Sequence, residues 1–178
     1  MEYKIHLPIT EEKIKKLNVG DIIYLSGDIF TARDEAHHLM LIKDKNSIPF
    51  DPSKMALFHC GPLMKKVKDK WQVISAGPTT SSRMEIFEDK FIEKFGIKII
   101  IGKGGMGNKT KNALKNNKAI YTAYTGGAGA LAAEKIMNVI SVLWLEKLGM
   151  PEAVWIFKIK DFGPLVVAMD SKGNSIYK

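Results

Sequence analysis

Apolar residues along this chain recur at two different spacings, and the change between them outlines the elements. Thr10, followed by Glu11 and Glu12 with Ile14 and Leu17 behind them, predicts a short capped helix. Residues 21–26 and 28–32 are β-rich runs interrupted by Gly27 and predict two strands. Ala36, Leu39, Met40 and Lys43 then fall at helical spacing, so a helix is expected from about residue 33 to 45. Residues 55–60 and 71–76 read as strands joined through a lysine-rich turn.

The second half alternates strand and helix. Met84, Phe87, Phe91, Ile92 and Phe95 share one face of a helix predicted over 79–95, with Gly96 as its C-cap. The apolar run 97–101 reads as a buried strand, followed by a glycine loop and a polar helix to about residue 116. A strand is expected over 119–124, a long helix over 128–148 ended by Pro151, and strands over 154–159 and 165–169. Residues 170–173 carry turn chemistry before a terminal β segment. Hairpin-like pairing in the first half and alternation in the second predict an α/β fold, with a mixed sheet and flanking helices in a single domain over 1–178.

Composition narrows the class. No apolar run reaches 18 residues, so a membrane span is not expected, and the first residues lack the apolar core of a secretory signal. One cysteine, Cys60, excludes a disulfide framework and a self-contained thiolate metal cluster, and suggests a reducing, cytoplasmic setting. The net charge of +8 invites a nucleic-acid reading. Its make-up argues against one: all but two of the 27 basic residues are lysines, scattered among acids without interleaved aromatics.

Two motifs carry candidate chemistry. Gly102-Lys103-Gly104-Gly105-Met106-Gly107 satisfies a dinucleotide-binding pattern, but no acid stands about 20 residues on to hold a ribose. Its useful part is Lys103, a cation at a helix start suited to a smaller anion. In a chain where surface positions are filled with lysine, the two arginines are the more telling residues, because only guanidinium offers a planar bidentate fork. Arg33 and Arg83 both lie at strand-to-helix junctions, Arg33 four residues from His37 and Arg83 four from Thr79. Three cations beyond strand ends suggest a small dicarboxylate ligand. A surface arginine, a helix-capping Thr79 and a structural His37 are the plainer alternatives.

The stretches Thr31–His37, Phe-His-Cys-Gly-Pro at 58–62, Ala-Gly-Pro-Thr-Thr-Ser-Ser-Arg-Met at 76–84, Ile-Gly-Lys-Gly-Gly-Met at 101–106 and the segment 148–164 together resemble one family. It is the β subunit of iron–sulfur hydro-lyases, the class I fumarase and L(+)-tartrate dehydratase family, and the resemblance covers nearly the whole chain. It implies a swivelling β/β/α domain that closes on a cluster-bearing α subunit, in an α2β2 heterotetramer. That partner would hold a [4Fe–4S] cluster with one iron open to substrate. It further implies that Arg33, Arg83 and Lys103 bind substrate carboxylates, that Thr79 is the catalytic base and that His37 is an active-site residue. The activity expected first is fumarate hydratase, with L(+)-tartrate dehydratase as the alternative and a nucleotide- or RNA-binding module as a distant one.

Overall fold

The computed structural model describes residues 1–177. In chain order the elements are β1 (Glu2–His6), α1 (Glu11–Lys16), β2 (Ile22–Thr31), α2 (Asp34–Ile42), β3 (Ala56–Phe58), β4 (Leu63–Val67) and β5 (Lys70–Ser75). They continue with α3 (Glu85–Phe95), β6 (Ile99–Gly102), α4 (Asn108–Asn117), β7 (Ile120–Ala123), α5 (Gly129–Glu134), β8 (Ile136–Leu143), α6 (Leu145–Leu148) and β9 (Val154–Met169). The fold is mixed α/β with a mixed sheet and flanking helices, as the alternation predicts. No helix among the described residues is long and apolar enough to cross a membrane.

Seven strands form one sheet in the order β1-β2-β3-β6-β7-β9-β8, and β9 also pairs with β2. The pairings therefore close a circuit through β2, β3, β6, β7 and β9. Strands β1, β2, β3, β6 and β7 run parallel, and β9 runs antiparallel to β2, β7 and β8. Period-two alternation divides the side chains between two cores. Ile29, Phe58, Ile101, Ile120 and Phe157 enter one, while Phe30, Leu57, Ile100, Tyr121 and Ile156 enter the other beneath α2, α3 and α4. Because the four strands β2, β3, β6 and β7 are parallel, all four end at the same rim.

Several expectations are corrected. Residues 128–148 are not one helix but α5, β8 and α6. Ile136, Val139 and Val142 pack inward three residues apart because two register irregularities interrupt the β8–β9 ladder. Each irregularity adds a residue to the strand, so a bulged strand mimics helical spacing. Strand β2 runs unbroken through Gly27, which takes φ +128° where a Cβ would lie 2.8 Å from Leu7 Cβ. The predicted strands over 154–159 and 165–169 are likewise one strand, β9. The lysine-rich turn is in fact mostly strand, β4, paired with β5, and β1 carried no signal distinct enough to predict it. Thr10 precedes α1 but its side chain makes no capping bond. Gly96 does close α3, in the left-handed conformation with its N–H donating to Ile92 O. The terminal segment returns only as far as a single bridge between Met169 and Ser175.

Candidate active site

At the rim where the parallel strands end, each strand leads directly into one or two of the residues in question. Arg33 follows β2 and precedes α2, His59 and Cys60 follow β3, Lys103 follows β6, and glycines 126 and 127 follow β7. The segment 78–81 lies across the ends of β3 and β6. Pro78 bridges to Cys60, the Thr79 N–H donates to His59 O at 2.8 Å, and Thr80 bridges to Lys103. The Ser81 N–H donates to Lys103 O at 3.0 Å, and Lys103 N–H returns a bond to Ser81 Oγ at 3.0 Å. A 3-10 turn over Ser81–Met84 then delivers Arg83 and leads into α3. The sequence-predicted residues Arg33, Thr79, Arg83 and Lys103 are thus gathered on one rim.

Their electrostatic surroundings differ from the sequence expectation of three bare cations. Arg33 Nε stands 3.1 Å from Glu152 Oε1, and Glu152 also accepts from the Glu35 N–H at 3.1 Å. Gly61 makes room for the guanidinium, since a Cβ there would lie 2.8 Å from Arg33 Nη1. Arg83 Nη2 donates to Asp34 Oδ2 at 2.7 Å from a half-exposed position. Two of the three cations are therefore oriented by carboxylates of the chain itself. Lys103 forms no ion pair among the described residues, and its aliphatic stem lies along Gly126. Glu152 had no distinguishing signal in the sequence beyond its place in Met-Pro-Glu. Burial pushes its carboxyl above the usual range, against the pull of Arg33.

His37 does not open onto this rim. Its ring is fully buried, with Nδ1 2.8 Å from Arg33 O and Nε2 3.3 Å from Glu88 Oε2, against the ring of Phe91. His59, equally buried, lies between Glu88 Oε2, 2.9 Å from its Nε2, and Ser81 Oγ, 2.9 Å from its Nδ1. The cluster His37–Glu88–His59 brings α2, α3 and the end of β3 together, a meeting of residues 29 and 51 positions apart that spacing could not indicate. Cys60 is also fully buried, and burial drives its thiol far above the ordinary range.

The glycine loop is corrected too. Glu85 occupies the start of α4: its carboxylate accepts from the N–H groups of Gly107 (2.7 Å), Lys109 (3.1 Å) and Thr110 (3.3 Å), and from Thr110 Oγ1 (2.6 Å). The amides that a dinucleotide phosphate would need already hold an internal anion. Lys103 stands at the end of β6 and not at the start of α4.

Glu88 gives a pH prediction. Although burial opposes ionisation, the two imidazoles beside it hold its carboxyl down at about 2. Burial likewise pushes His59 below the usual imidazole range. Between the folded and unfolded values of each group the unfolded chain binds the extra proton, so stability rises with pH. Unfolding free energy should therefore fall as pH is lowered from about 6.5, and most steeply between about 4.5 and 2. Glu88 alone contributes on the order of 3 kcal/mol across that window. Urea titrations of the full chain at pH 7, 5 and 3, beside Glu88→Gln, measure this; identical pH slopes for the two proteins would contradict it.

Comparison with known proteins gives consistent results. A family described as "Fumarase C-terminus" matches residues 2–178. The "Putative L(+)-tartrate dehydratase subunit beta" of Methanocaldococcus jannaschii is 47% identical over 180 residues, spanning 100% of this chain and 92% of its own length. The "L(+)-tartrate dehydratase subunit beta" of Escherichia coli (strain K12) is 45% identical over 169 residues, spanning 95% and 83%. The "Putative fumarate hydratase class I" of Geobacillus stearothermophilus is 43% identical over 175 residues, spanning 98% of this chain but 33% of its own.

Proposed function

Because this chain belongs to the fumarase C-terminus family, we propose that it is the β subunit of a hydro-lyase acting on a four-carbon dicarboxylate, with malate and fumarate as its substrate pair. The observation that carries the reading is the rim itself. Two guanidiniums held by Glu152 and Asp34, and Lys103 without an acidic partner among the described residues, share with Thr79 the rim at the ends of parallel strands. This is where ligands bind in α/β sheets.

In this proposal Arg33 and Arg83 take the substrate carboxylates through the N–H groups their acidic partners leave free, since each guanidinium has five donors. Removing water from a 2-hydroxy diacid requires loss of a weakly acidic C3 proton, and charge then gathers on the adjacent carboxylate. Lys103 is placed to meet that charge, and a donor that is fixed in advance lowers the barrier without reorganisation. Thr79 Oγ1, as the alkoxide, receives the C3 proton and becomes a neutral hydroxyl, while the C2 hydroxyl leaves as hydroxide and the C3 electron pair closes the double bond. An alkoxide persists only with cations close by, which is why the rim it shares with Arg33, Arg83 and Lys103 matters. His37, enclosed behind Arg33, acts on the site through other residues and not by touching substrate.

The [4Fe–4S] cluster is assigned to an α subunit, in an α2β2 assembly. This chain's own residues do not fit it, as such a cluster takes several thiolates and the one cysteine here is buried. L(+)-tartrate is the second substrate reading, supported by chain organisation. The two relatives named for tartrate dehydratase match this chain over 92% and 83% of their own length, whereas the fumarate hydratase relative is about three times as long.

The test is anaerobic co-purification with the cluster-bearing subunit, followed by assays on malate, fumarate and both tartrates. Turnover of malate and fumarate is expected, and tartrate turnover alone would replace the first reading by the second. The isolated chain, treated with iron and sulfide, is expected to stay colourless and inactive. Hydratase activity in it would overturn the assignment of the cluster to a partner.

A further inference from the structure

Two buried polar atoms stand without a hydrogen-bond partner in the same cluster, His37 Nε2 and Glu88 Oε1. Native interiors rarely leave such atoms unfilled, so the cluster has an unassigned task. Its donors and acceptors can be worked through one by one. His37 Nδ1 faces the Arg33 carbonyl oxygen, which can only accept, so Nδ1 carries a proton. Ser81 Oγ accepts from the Lys103 N–H, and its own hydroxyl proton is free for His59 Nδ1. His59 then carries its proton on Nε2 and donates it to Glu88 Oε2 at 2.9 Å, which makes it a neutral ring. There remains His37 Nε2, 3.3 Å from the same carboxylate. A bare lone pair facing a carboxylate would be repelled. A proton there gives Nε2 a carboxylate oxygen to face, while Glu88 Oε1 stays without a partner, and it leaves the buried cluster with no net charge, the condition under which buried ions persist.

The cluster's outward connections end on the two cations of the rim that have different surroundings. His37 grips the carbonyl of Arg33, and His59 reaches the backbone of Lys103 through Ser81. We propose that His37, Glu88 and His59 form a positioning unit, with a proton kept between His37 and Glu88, that holds Arg33 and Lys103 at the separation a dicarboxylate requires. Its catalytic readout rests on the hydro-lyase reading given above; its protonation pattern does not. His37, His59, Glu88 and Ser81 are positioning residues here, since none of them reaches the rim surface: each is fully buried.

The same three side chains place donor atoms within 4.8 Å of one another, as a metal site would. Two features favour the proton over a metal. The His59–Glu88 contact at 2.9 Å is already a hydrogen bond, and the cluster is wholly enclosed, with the tilted Phe91 ring 4.5 Å from the His37 ring centre to centre.

The experiment has two arms. In the first, the full chain labelled with nitrogen-15 histidine is examined by NMR at pH 7. Both ring nitrogens of His37 should be protonated and only Nε2 of His59, and Glu88→Gln should return His37 to a neutral ring. A neutral His37 in the unaltered chain overturns the proposal. So does loss of both patterns on adding zinc chloride with one equivalent bound, which would make the cluster a metal site. In the second arm, the assembled enzyme carries Glu88→Gln or Ser81→Ala. KM for the dicarboxylate should rise about tenfold with kcat changed less than threefold, while Glu93→Gln on the exposed face of α3 changes neither. Should Glu88→Gln fail to fold, Ser81→Ala decides, because it cuts the link from His59 to Lys103 and leaves the His37–Glu88 contact in place. KM within twofold of the unaltered enzyme in the folded variants would mean that the cluster is packing alone. If the unaltered assembly turns over no dicarboxylate, the hydro-lyase reading falls by itself, and the NMR arm still decides the cluster.

Discussion

Arg33→Ala is expected to lower kcat/KM of the assembled enzyme about 100-fold or more, about 2.7 kcal/mol in the barrier. The size follows from what is removed. A guanidinium gripping a carboxylate makes two charge-assisted hydrogen bonds, each contributing about 1.5–3 kcal/mol, and the variant also leaves Glu152 without its cation. Arg33→Lys keeps the charge but not the fork, and should cost about tenfold; Arg83→Lys, at a more exposed position, should cost about the same. Glu152→Gln separates the two jobs of Arg33. If Arg33 mattered only as a partner for Glu152, removing the carboxylate would cost as much as removing the arginine. If Arg33 binds substrate, Glu152→Gln loses orientation alone and should fall between the lysine variant and the native enzyme. Lys90→Arg on an exposed helical face serves as the control. Steady-state kinetics on all five variants decide it, and equal small effects throughout would make both arginines ordinary surface residues.

What could be read from the chain beforehand was the part governed by local rules. The scarcity of arginine singled out Arg33 and Arg83, and strand-then-helix rhythm put both, with Lys103, at strand ends where the structure gathers them. Gly96 was legible because a helix stop needs the left-handed conformation that glycine adopts readily. What escaped was governed by contacts distant in sequence. Glu88 sits on α3 among apolar residues and looks like any polar position of an amphipathic helix; only the fold shows it enclosed between two imidazoles. His59 lay inside a recognisable stretch, yet nothing in Phe-His-Cys-Gly-Pro names its partners. The acid that fills the start of α4 comes from Glu85, 22 residues before Gly107, the last residue of the loop that drew attention. Strand β8 misled for a different reason, since its bulges convert a period of two into a period of three. His37 is the most instructive case: the position was singled out, but its burial places it behind the site and not within it.

Gly102→Ala is expected to be the most damaging small substitution on the rim. The last residue of β6 has ordinary extended backbone, so the constraint there is space and not conformation. A Cβ at Gly102 would lie 1.9 Å from Ser81 Oγ and 2.9 Å from Tyr121 Cε2 and Oη. Tyr121 cannot give way, since it is fully buried with its hydroxyl donating to Gly104 O at 2.9 Å. The methyl group must therefore displace Ser81, whose hydroxyl oxygen accepts the Lys103 N–H and meets His59 Nδ1. Overpacking costs typically about 1–3 kcal/mol, and freeing two buried hydrogen-bonding groups adds about 1–3 kcal/mol more. A loss of about 3 kcal/mol or more in unfolding free energy is expected, with kcat/KM reduced at least about 100-fold because the added methyl displaces Lys103 together with its backbone. Gly104→Ala, two residues on, isolates the cause. It has φ +76° and open space around it, so it strains the backbone by about 1 kcal/mol without touching Ser81. Denaturant unfolding of the two full-length chains, beside turnover by the two assemblies, makes the comparison. Equal stability and equal turnover for the two variants would show that Ser81 has room to move, and that its grip on Lys103 is not what sets the site.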